Sequence, residues 1–221
     1  MSISVAIDGP AGAGKSTIAN IIATKFNLMY INTGSMYRAV TLMSLRNNIN
    51  YKDVNSVCDL TNSLDMYFKG ESLIVNGEDV SEEIRSIEVS NNVSNYAAIP
   101  EVREILVKLQ QDIANKYDVI MDGRDIGTVV LKNSPLKFFL TASAEERAKR
   151  RYEELKEKCI VVEYNNILND ILKRDYIDSN REVNPLRKAH DAIEIDSSKL
   201  SIDDVISVIS GYIEDYMKNQ I

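Results

Sequence analysis

An α/β fold built on a parallel sheet is predicted by three observations. A glycine-rich loop joins a short apolar strand to a helix near the amino terminus. Strand and helix signals then alternate at both ends of the chain. Between them lies a run of short strand-like segments around a tight Asn-Gly turn, which reads as an antiparallel insert rather than a further βα unit. At 221 residues, 44% hydrophobic and 27% charged, the chain suits one large domain, or one carrying inserted subdomains. It is long enough to bury a real core.

The first strand is Ile3, Val5, Ala6 and Ile7. It runs into Gly9-Pro10-Ala11-Gly12-Ala13-Gly14-Lys15-Ser16, which satisfies GxxxxGK[ST] in full, and Thr17 to Phe26 then reads as a helix. Strand, glycine loop and helix together make a phosphate cradle. The glycines let backbone N–H groups turn inward without side-chain clashes. The helix start adds unpaired N–H groups and the positive end of its dipole. Lys15 is placed to reach the β- and γ-phosphates, and the Ser16 hydroxyl to bind Mg²⁺. Residues Gly9 to Thr17 are therefore the candidate nucleotide-phosphate site, a loop shared by kinases, GTPases and ATPases.

Leu28 to Ile31 reads as a second strand, Ser35 to Arg46 as a helix, and Asp53 to Ser63 as another. Leu64 to Phe68 and Leu73 to Val75 are strand-like, and Asn76-Gly77 turns the chain into Asp79-Val80. Ser81 is expected to cap a short helix with Glu82 and Glu83 near its positive end. Helical patterns continue over Glu88 to Ala98, and Pro100 opens a helix to about Lys116. Asp118 to Asp122 is a core strand ending in Asp122-Gly123-Arg124-Asp125, and Leu136 to Thr141 is another. Ala144 to about Lys158 is a charged helix. Glu163 to Asp178 is a polar helix with Ile167, Leu168, Ile171 and Leu172 on one face. Ala192 to Ile195 is the last strand, and Ser201 caps the final helix, with Asp203 and Asp204 in its first turn.

The bulk numbers narrow the partners. Net charge is −7 and the pI about 4.9. Nucleic-acid polymers and anionic membranes call for a basic surface, so neither is expected. A small phosphorylated ligand needs only a local arginine cluster. Cys58 and Cys159 are far apart in sequence and fit a reducing compartment. His190 is the only histidine, so a zinc site has little support. A strand begins almost at once, so no signal peptide is expected, and no apolar run approaches the roughly 20 residues of a spanning helix. The expected location is the cytoplasm.

Asn115-Lys116-Tyr117-Asp118 matches NKxD, the guanine-reading motif of GTPases. That motif belongs in a loop after a core strand, whereas here it closes a helix and precedes a strand. The chain also lacks any DxxG. The match is read as chance. Five arginines stand out instead: Arg38, Arg103, Arg124, Arg174 and Arg181 sit beside turn or polar residues, several with an aspartate close by. Each alone reads as a surface ion pair. Together with a P-loop they suit a second phosphate site facing the first.

Several blocks then carry a specific resemblance. They are the P-loop segment from Ile3 to Thr17, Asn32-Thr33-Gly34-Ser35-Met36-Tyr37-Arg38, Gly77-Glu78-Asp79-Val80, Asp122-Gly123-Arg124-Asp125-Ile126-Gly127-Thr128-Val129-Val130, and Arg174-Asp175-x-x-Asp178-Ser179-Asn180-Arg181. The chain resembles the bacterial cytidylate kinases over essentially its whole length. The resemblance implies a P-loop nucleoside monophosphate kinase fold: one kinase domain over 1–221, with a monophosphate-binding insert at 36–103, a helical lid region at 148–184, and the remainder as core. It implies transfer of the γ-phosphoryl group of ATP, with Mg²⁺, to CMP or dCMP, by a monomer. Gly9 to Thr17 would be the ATP site. Thr33, Arg38, Arg124 and Arg181 would hold the acceptor phosphate. Ser94, Arg103 and Asp125 would face the cytosine edge, and Arg174 and Asp178 the ribose hydroxyls. Arg147, Arg150 and Arg151 fall at the lid base, where such kinases carry arginines acting in transfer, and helix spacing lets only some face the site. Lys15, Arg124, Arg181, Arg147 and Arg151 are the candidate catalytic residues.

Two positions depart from the family. It often has Asp where this chain has Asn32, and often Gly where this chain has Cys159, so positive φ is not expected at Cys159. Two alternatives stay open: a kinase for another monophosphate such as UMP, or a nucleotide-dependent switch without an acceptor. The missing DxxG counts against the second.

Overall fold

The computed structural model describes residues 3–157 and 159–219. Five parallel strands form the main sheet in the order β2-β6-β1-β7-β8, with β1 at Ser4–Asp8, β2 at Met29–Asn32, β6 at Val119–Gly123, β7 at Leu136–Thr141 and β8 at Ile193–Asp196. Side chains alternate between its two faces, as the period of two requires. On β1, Val5 and Ile7 pack with Ile120 and Phe138 under α1 (Lys15–Phe26) and α8 (Ile202–Lys218). Ala6 points the other way with Ile31 and Met121, against α2 (Thr33–Arg46) and the helices that follow it. Both faces are covered, so the strands read as nearly continuous apolar runs.

The insert follows α2. After α3 (Val54–Ser63), a small antiparallel sheet runs β3 (Met66–Lys69), β4 (Ser72–Val75) and β5 (Glu78–Asp79). Leu73 and Val75 fill its buried face, while Gly77 turns the chain with φ +83°. Then come α4 (Ile87–Ala97) and α5 (Pro100–Ala114). Two further helices, α6 (Ala144–Glu157) and α7 (Tyr164–Asn180), pack on each other through Ala148, Ile167 and Ile171.

Most expected elements are present with ends moved by a residue or two. Three differences have local causes. The helix expected from Ser35 starts at Thr33, because Asn32 caps it: its Oδ1 accepts from the Ser35 N–H at 2.9 Å. Ser81 caps no helix; its hydroxyl accepts from the Leu73 N–H at 2.9 Å and secures the small sheet, followed by a single 3₁₀ turn at Glu83–Arg85. Leu172, expected on the apolar face of α7, is 49% exposed, whereas Ile167, Ile171 and the partly buried Leu168 turn inward. The expected end of α6 at Lys158 lies outside the described residues. Cys159 does adopt a left-handed φ of +56°. The Ile160 N–H bonds back to the Leu155 carbonyl there, the geometry that usually selects glycine. Asn115-Lys116-Tyr117-Asp118 closes α5, and the Asp118 carboxylate accepts from the Ile3 N–H. No described helix is long and apolar enough to cross a membrane.

Candidate active site

The site is assembled where β1, β6 and β2 end side by side, the edge at which open parallel sheets bind ligands. Asp8 closes β1 and leads into the glycine loop. Asp122-Gly123 closes β6, and Asn32 passes directly into α2. Gly9 has φ +150°, and a Cβ there would collide with the Leu140 carbonyl of β7. Only glycine lets the loop lie this close to the sheet.

Lys15 opens α1 and is buried, its Nζ donating to the Pro10 carbonyl at 2.8 Å. Burial pushes its ammonium well below the usual lysine range; Arg124 and Arg174 push the same way, while Asp122 and Asp8 oppose them. The Ser16 hydroxyl donates to Asp122 Oδ2 at 2.8 Å, and the Tyr30 hydroxyl to Asp122 Oδ1 at 2.9 Å. Burial raises the Asp122 carboxyl, with Lys15 and the two hydroxyls opposing. The Asn32 amide donates to both Ser16 Oγ, at 3.2 Å, and the Tyr30 hydroxyl, at 3.0 Å. Asp8 accepts from the N–H groups of Ile126 and Gly127, each at 2.7 Å, and so holds the π-helical turn at Ile126–Val130.

A cavity of about 430 Å³, counting its open mouth, adjoins this network. Its wall contains eight of the nine residues expected to hold the acceptor: Thr33, Ser94, Arg103, Arg124, Asp125, Arg174, Asp178 and Arg181. The ninth, Arg38, is not on that wall; its guanidinium donates to the Ile84 carbonyl and to Ser90 Oγ, both at 2.9 Å. Burial, with Arg174 and Arg124 nearby, lowers Arg38 to about 9. Four arginines and two aspartates line the cavity, a formal excess of two positive charges. Arg124 Nε donates to Asp178 Oδ2 at 2.8 Å. Burial would raise the Asp178 carboxyl, but Arg124 and Arg174 outweigh it and hold the group low. Burial and then Arg124 lower Arg174 to about 10. The Nε atoms of Arg103 and Arg174 are buried without a hydrogen-bond partner, and Arg181 Nη2 is buried with only the Asp125 carboxylate, 3.5 Å away, beside it. Such orphan donors are costly unless something accepts from them. The arginine excess of the wall suits an anionic ligand in the cavity.

Arg147, Arg150 and Arg151, expected at the base of a lid, lie on one side of α6 but reach different places. Arg147, in the first turn, donates to the Ala142 and Ala11 carbonyls and to Asp175 Oδ2, at 3.0, 2.9 and 2.6 Å. It thereby ties α6 and α7 to the glycine loop. Arg150 donates to the Ser197 carbonyl beyond β8. Arg151 is half-exposed and pairs with Glu154. Of the three, Arg147 alone is bonded to the glycine loop.

Tyr37, Gly34, Val93 and Ala97 also line the cavity, and sequence reasoning did not assign them. Tyr37 carries the Arg103 guanidinium over its ring at 5.1 Å. Its place beside Arg38 in the Thr33-to-Arg38 block was the available signal. Asp8, Tyr30 and Asp122 were missed as well. Asp8 was detectable as the one charged residue of an apolar strand entering the loop. The His190 side chain is exposed and away from the cavity.

The sequence profile described as cytidylate kinase matches residues 5–215. A Clostridium acetobutylicum protein named cytidylate kinase is 65% identical over 96% of this chain and 98% of its own. A Clostridium tetani protein of the same name is 62% identical over 97% of this chain and 95% of its own. Among solved structures, an uncharacterized protein from Eubacterium ventriosum superposes with a TM-score of 0.54 at 15% identity, covering 97% of this chain and 99% of that one. That likeness concerns the fold alone. The chain belongs to the cytidylate kinase family.

Proposed function

We propose that this member of the cytidylate kinase family transfers the γ-phosphoryl group of ATP to CMP or dCMP, giving ADP and CDP or dCDP. One observation carries the reading beyond family membership: a cavity lined by four arginines, two of which, Arg124 and Arg174, act electrostatically on Lys15 of a complete phosphate-binding loop. The loop from Gly9 to Thr17 binds ATP, with Lys15 leaving the Pro10 carbonyl to meet the transferring phosphate. Arg124, Arg181, Thr33 and, after a side-chain movement, Arg38 hold the acceptor phosphate. Arg174 and Asp178 meet the ribose. Ser94, Arg103 and Asp125 read the base. Arg147 anchors the lid to the loop.

Magnesium fits the residues present. It takes hard oxygen donors, commonly one or two from protein with the rest from phosphates and water. The Ser16 hydroxyl and the Asp122 carboxylate are such donors, 2.8 Å apart at the loop. Bound with ATP, the cation would offset charge on the β- and γ-phosphates.

The acceptor is a phosphate oxygen. A phosphate monoester has its second pKa near ~6, so at neutral pH the nucleophile is already mostly ionised. No general base is required. The difficulty is bringing two polyanions together, and Lys15 with the cavity arginines offsets that repulsion and stabilises the transition state. Segments 36–103 and 148–184 close over the substrates and keep out water, which would otherwise take the phosphoryl group. A monomer acting in the cytoplasm suits this chemistry, since both substrates are small nucleotides. The test is ADP release from ATP alone and with each of CMP, dCMP, UMP, AMP and GMP. Turnover led by CMP or dCMP is expected; turnover without an acceptor, or led by another monophosphate, overturns the assignment.

A further inference from the structure

The hydrogen bonds around Ser16 leave little freedom in where their protons lie. Asn32 Oδ1 is committed to the Ser35 N–H as the cap of α2, so its amide cannot flip. Its Nδ2 therefore spends one N–H on Ser16 Oγ and the other on the Tyr30 hydroxyl. Each hydroxyl accepts from Asn32 and must send its own proton elsewhere. Both protons go to Asp122, Ser16 to Oδ2 and Tyr30 to Oδ1. A hydroxyl has one proton and two lone pairs. For Ser16 the proton is on Asp122 and one lone pair is on Asn32. A single lone pair is left, with its direction fixed.

From this geometry we infer that Asn32, together with Tyr30, is a positioning residue for a nucleotide-borne divalent cation: it fixes the Ser16 hydroxyl so that its one remaining lone pair is presented to the metal. The inference deepens the kinase reading and rests on it. It gives position 32 a role of a different kind from the aspartate frequent in the family. An aspartate could cap α2 equally well, but it has no proton to donate to Ser16 or Tyr30. Asn32 links the cap of α2 to the hydroxyl of the glycine-loop helix, so that forming the acceptor-side helix also orients the metal-side ligand.

Asn32→Ser separates the two duties. Serine caps helices about as well as asparagine, but its short side chain carries no amide to reach Ser16 or Tyr30. Mn²⁺ is used as the probe, its affinity for the ADP complex read by electron paramagnetic resonance. ADP affinity without metal and the Tm are measured alongside. The expected result is an Mn²⁺ affinity weakened about fivefold in Asn32→Ser, the effect of about one hydrogen bond, with metal-free ADP affinity and Tm near wild type. Tyr30→Phe, which removes a proton from Asp122 and the second acceptor of Asn32, is expected to weaken Mn²⁺ in the same way. Unchanged Mn²⁺ affinity in both variants overturns the role of Asn32 and leaves the kinase reading standing. Loss of metal-free ADP binding in step with Mn²⁺ also overturns it, by making Asn32 a support of the loop alone. Failure of the wild-type protein to bind Mn²⁺ with ADP overturns the kinase reading itself.

Discussion

Arg103 and Asp125 form a buried ion pair, Nη2 to Oδ2 at 2.5 Å, with side chains 1% and 6% exposed. The other Asp125 oxygen faces Arg181 at 3.5 Å. Two residues proposed to read the base are thus already neutralised by each other. A buried pair of this kind is weak evidence for stability, because desolvation offsets much of the Coulomb gain. Its consequence lies in preorganisation. Arg103 is clamped between Asp125, the Ala97 carbonyl and the Tyr37 ring, so neither partner has to be ordered when the nucleotide enters.

Asp125→Asn is expected to lower the CMP-to-UMP ratio of kcat/KM by tenfold or more. A carboxylate accepts from the cytosine N4 amino group but confronts the O4 lone pairs of uracil. An asparagine amide can serve either. A polar group left unpaired in a closed site costs about 1–3 kcal/mol, roughly five- to a hundredfold. The ratio is measured with purified variant and wild type under one Mg²⁺ concentration. Slower turnover with both substrates and an unchanged ratio would assign Asp125 only to holding Arg103.

Lys15→Met is expected to reduce kcat by about 10²-fold or more, the effect of removing one preorganised charge worth a few kcal/mol. Lys15 is buried on the Pro10 carbonyl, and burial lowers its pKa. The gain from meeting a phosphate is correspondingly large. Steady-state turnover of a variant with wild-type circular dichroism decides; near-normal kcat removes Lys15 from the transferring phosphate.

Arg124→Lys keeps the charge and loses the planar fork. Arg124 spends Nε on Asp178 and one Nη1–H on the Gly123 carbonyl at 3.4 Å, leaving Nη2 and the other Nη1–H for a phosphate. The expected outcome is a tenfold or greater rise in KM for CMP with ATP affinity within about twofold, since a charge-assisted bond contributes about 1.5–3 kcal/mol. Equal losses for both nucleotides would move Arg124 out of the acceptor site.

What the sequence made legible was whatever is local. The alternation of Val5, Ala6 and Ile7 sets the faces of β1, and the glycine loop follows from eight consecutive residues. Most of the arginine-lined cavity was reached through blocks whose members lie close in sequence. Contacts across strands were not legible. Tyr30 pairs in register with Ile120, so its hydroxyl reaches Asp122, two residues along the neighbouring strand, and no local pattern announces that. The arginines of α6 show the same limit. Spacing puts Arg147, Arg150 and Arg151 on one side of a helix, yet which of them meets the glycine loop depends on where α6 begins relative to β7. Arg38 differs for a similar reason: its neighbours Ile84 and Ser90 come from the far side of the insert.

Asp8 gives the protein a pH dependence of unusual sign. Burial raises its carboxyl to about 6, against the two N–H groups of Gly127 and Ile126 that favour the anion. In the unfolded chain it titrates near its ordinary value of about 4. Between those two values the native state holds the proton and the unfolded state does not. Stability therefore falls as pH rises from about 4 to about 6, and it levels off above that. Two pKa units correspond to about 3 kcal/mol. Other carboxylates, such as the Asp178 group held low by its arginines, act in the opposite direction, so the comparison must isolate position 8. Asp8→Asn keeps an acceptor for one N–H and does not titrate. Urea unfolding of both proteins at pH 4.5, 5.5 and 7.5 is expected to show the wild type losing about 2 kcal/mol relative to the variant across this range. A relative stability that stays flat across this range would mean that the backbone N–H groups offset burial and that Asp8 is ionised throughout.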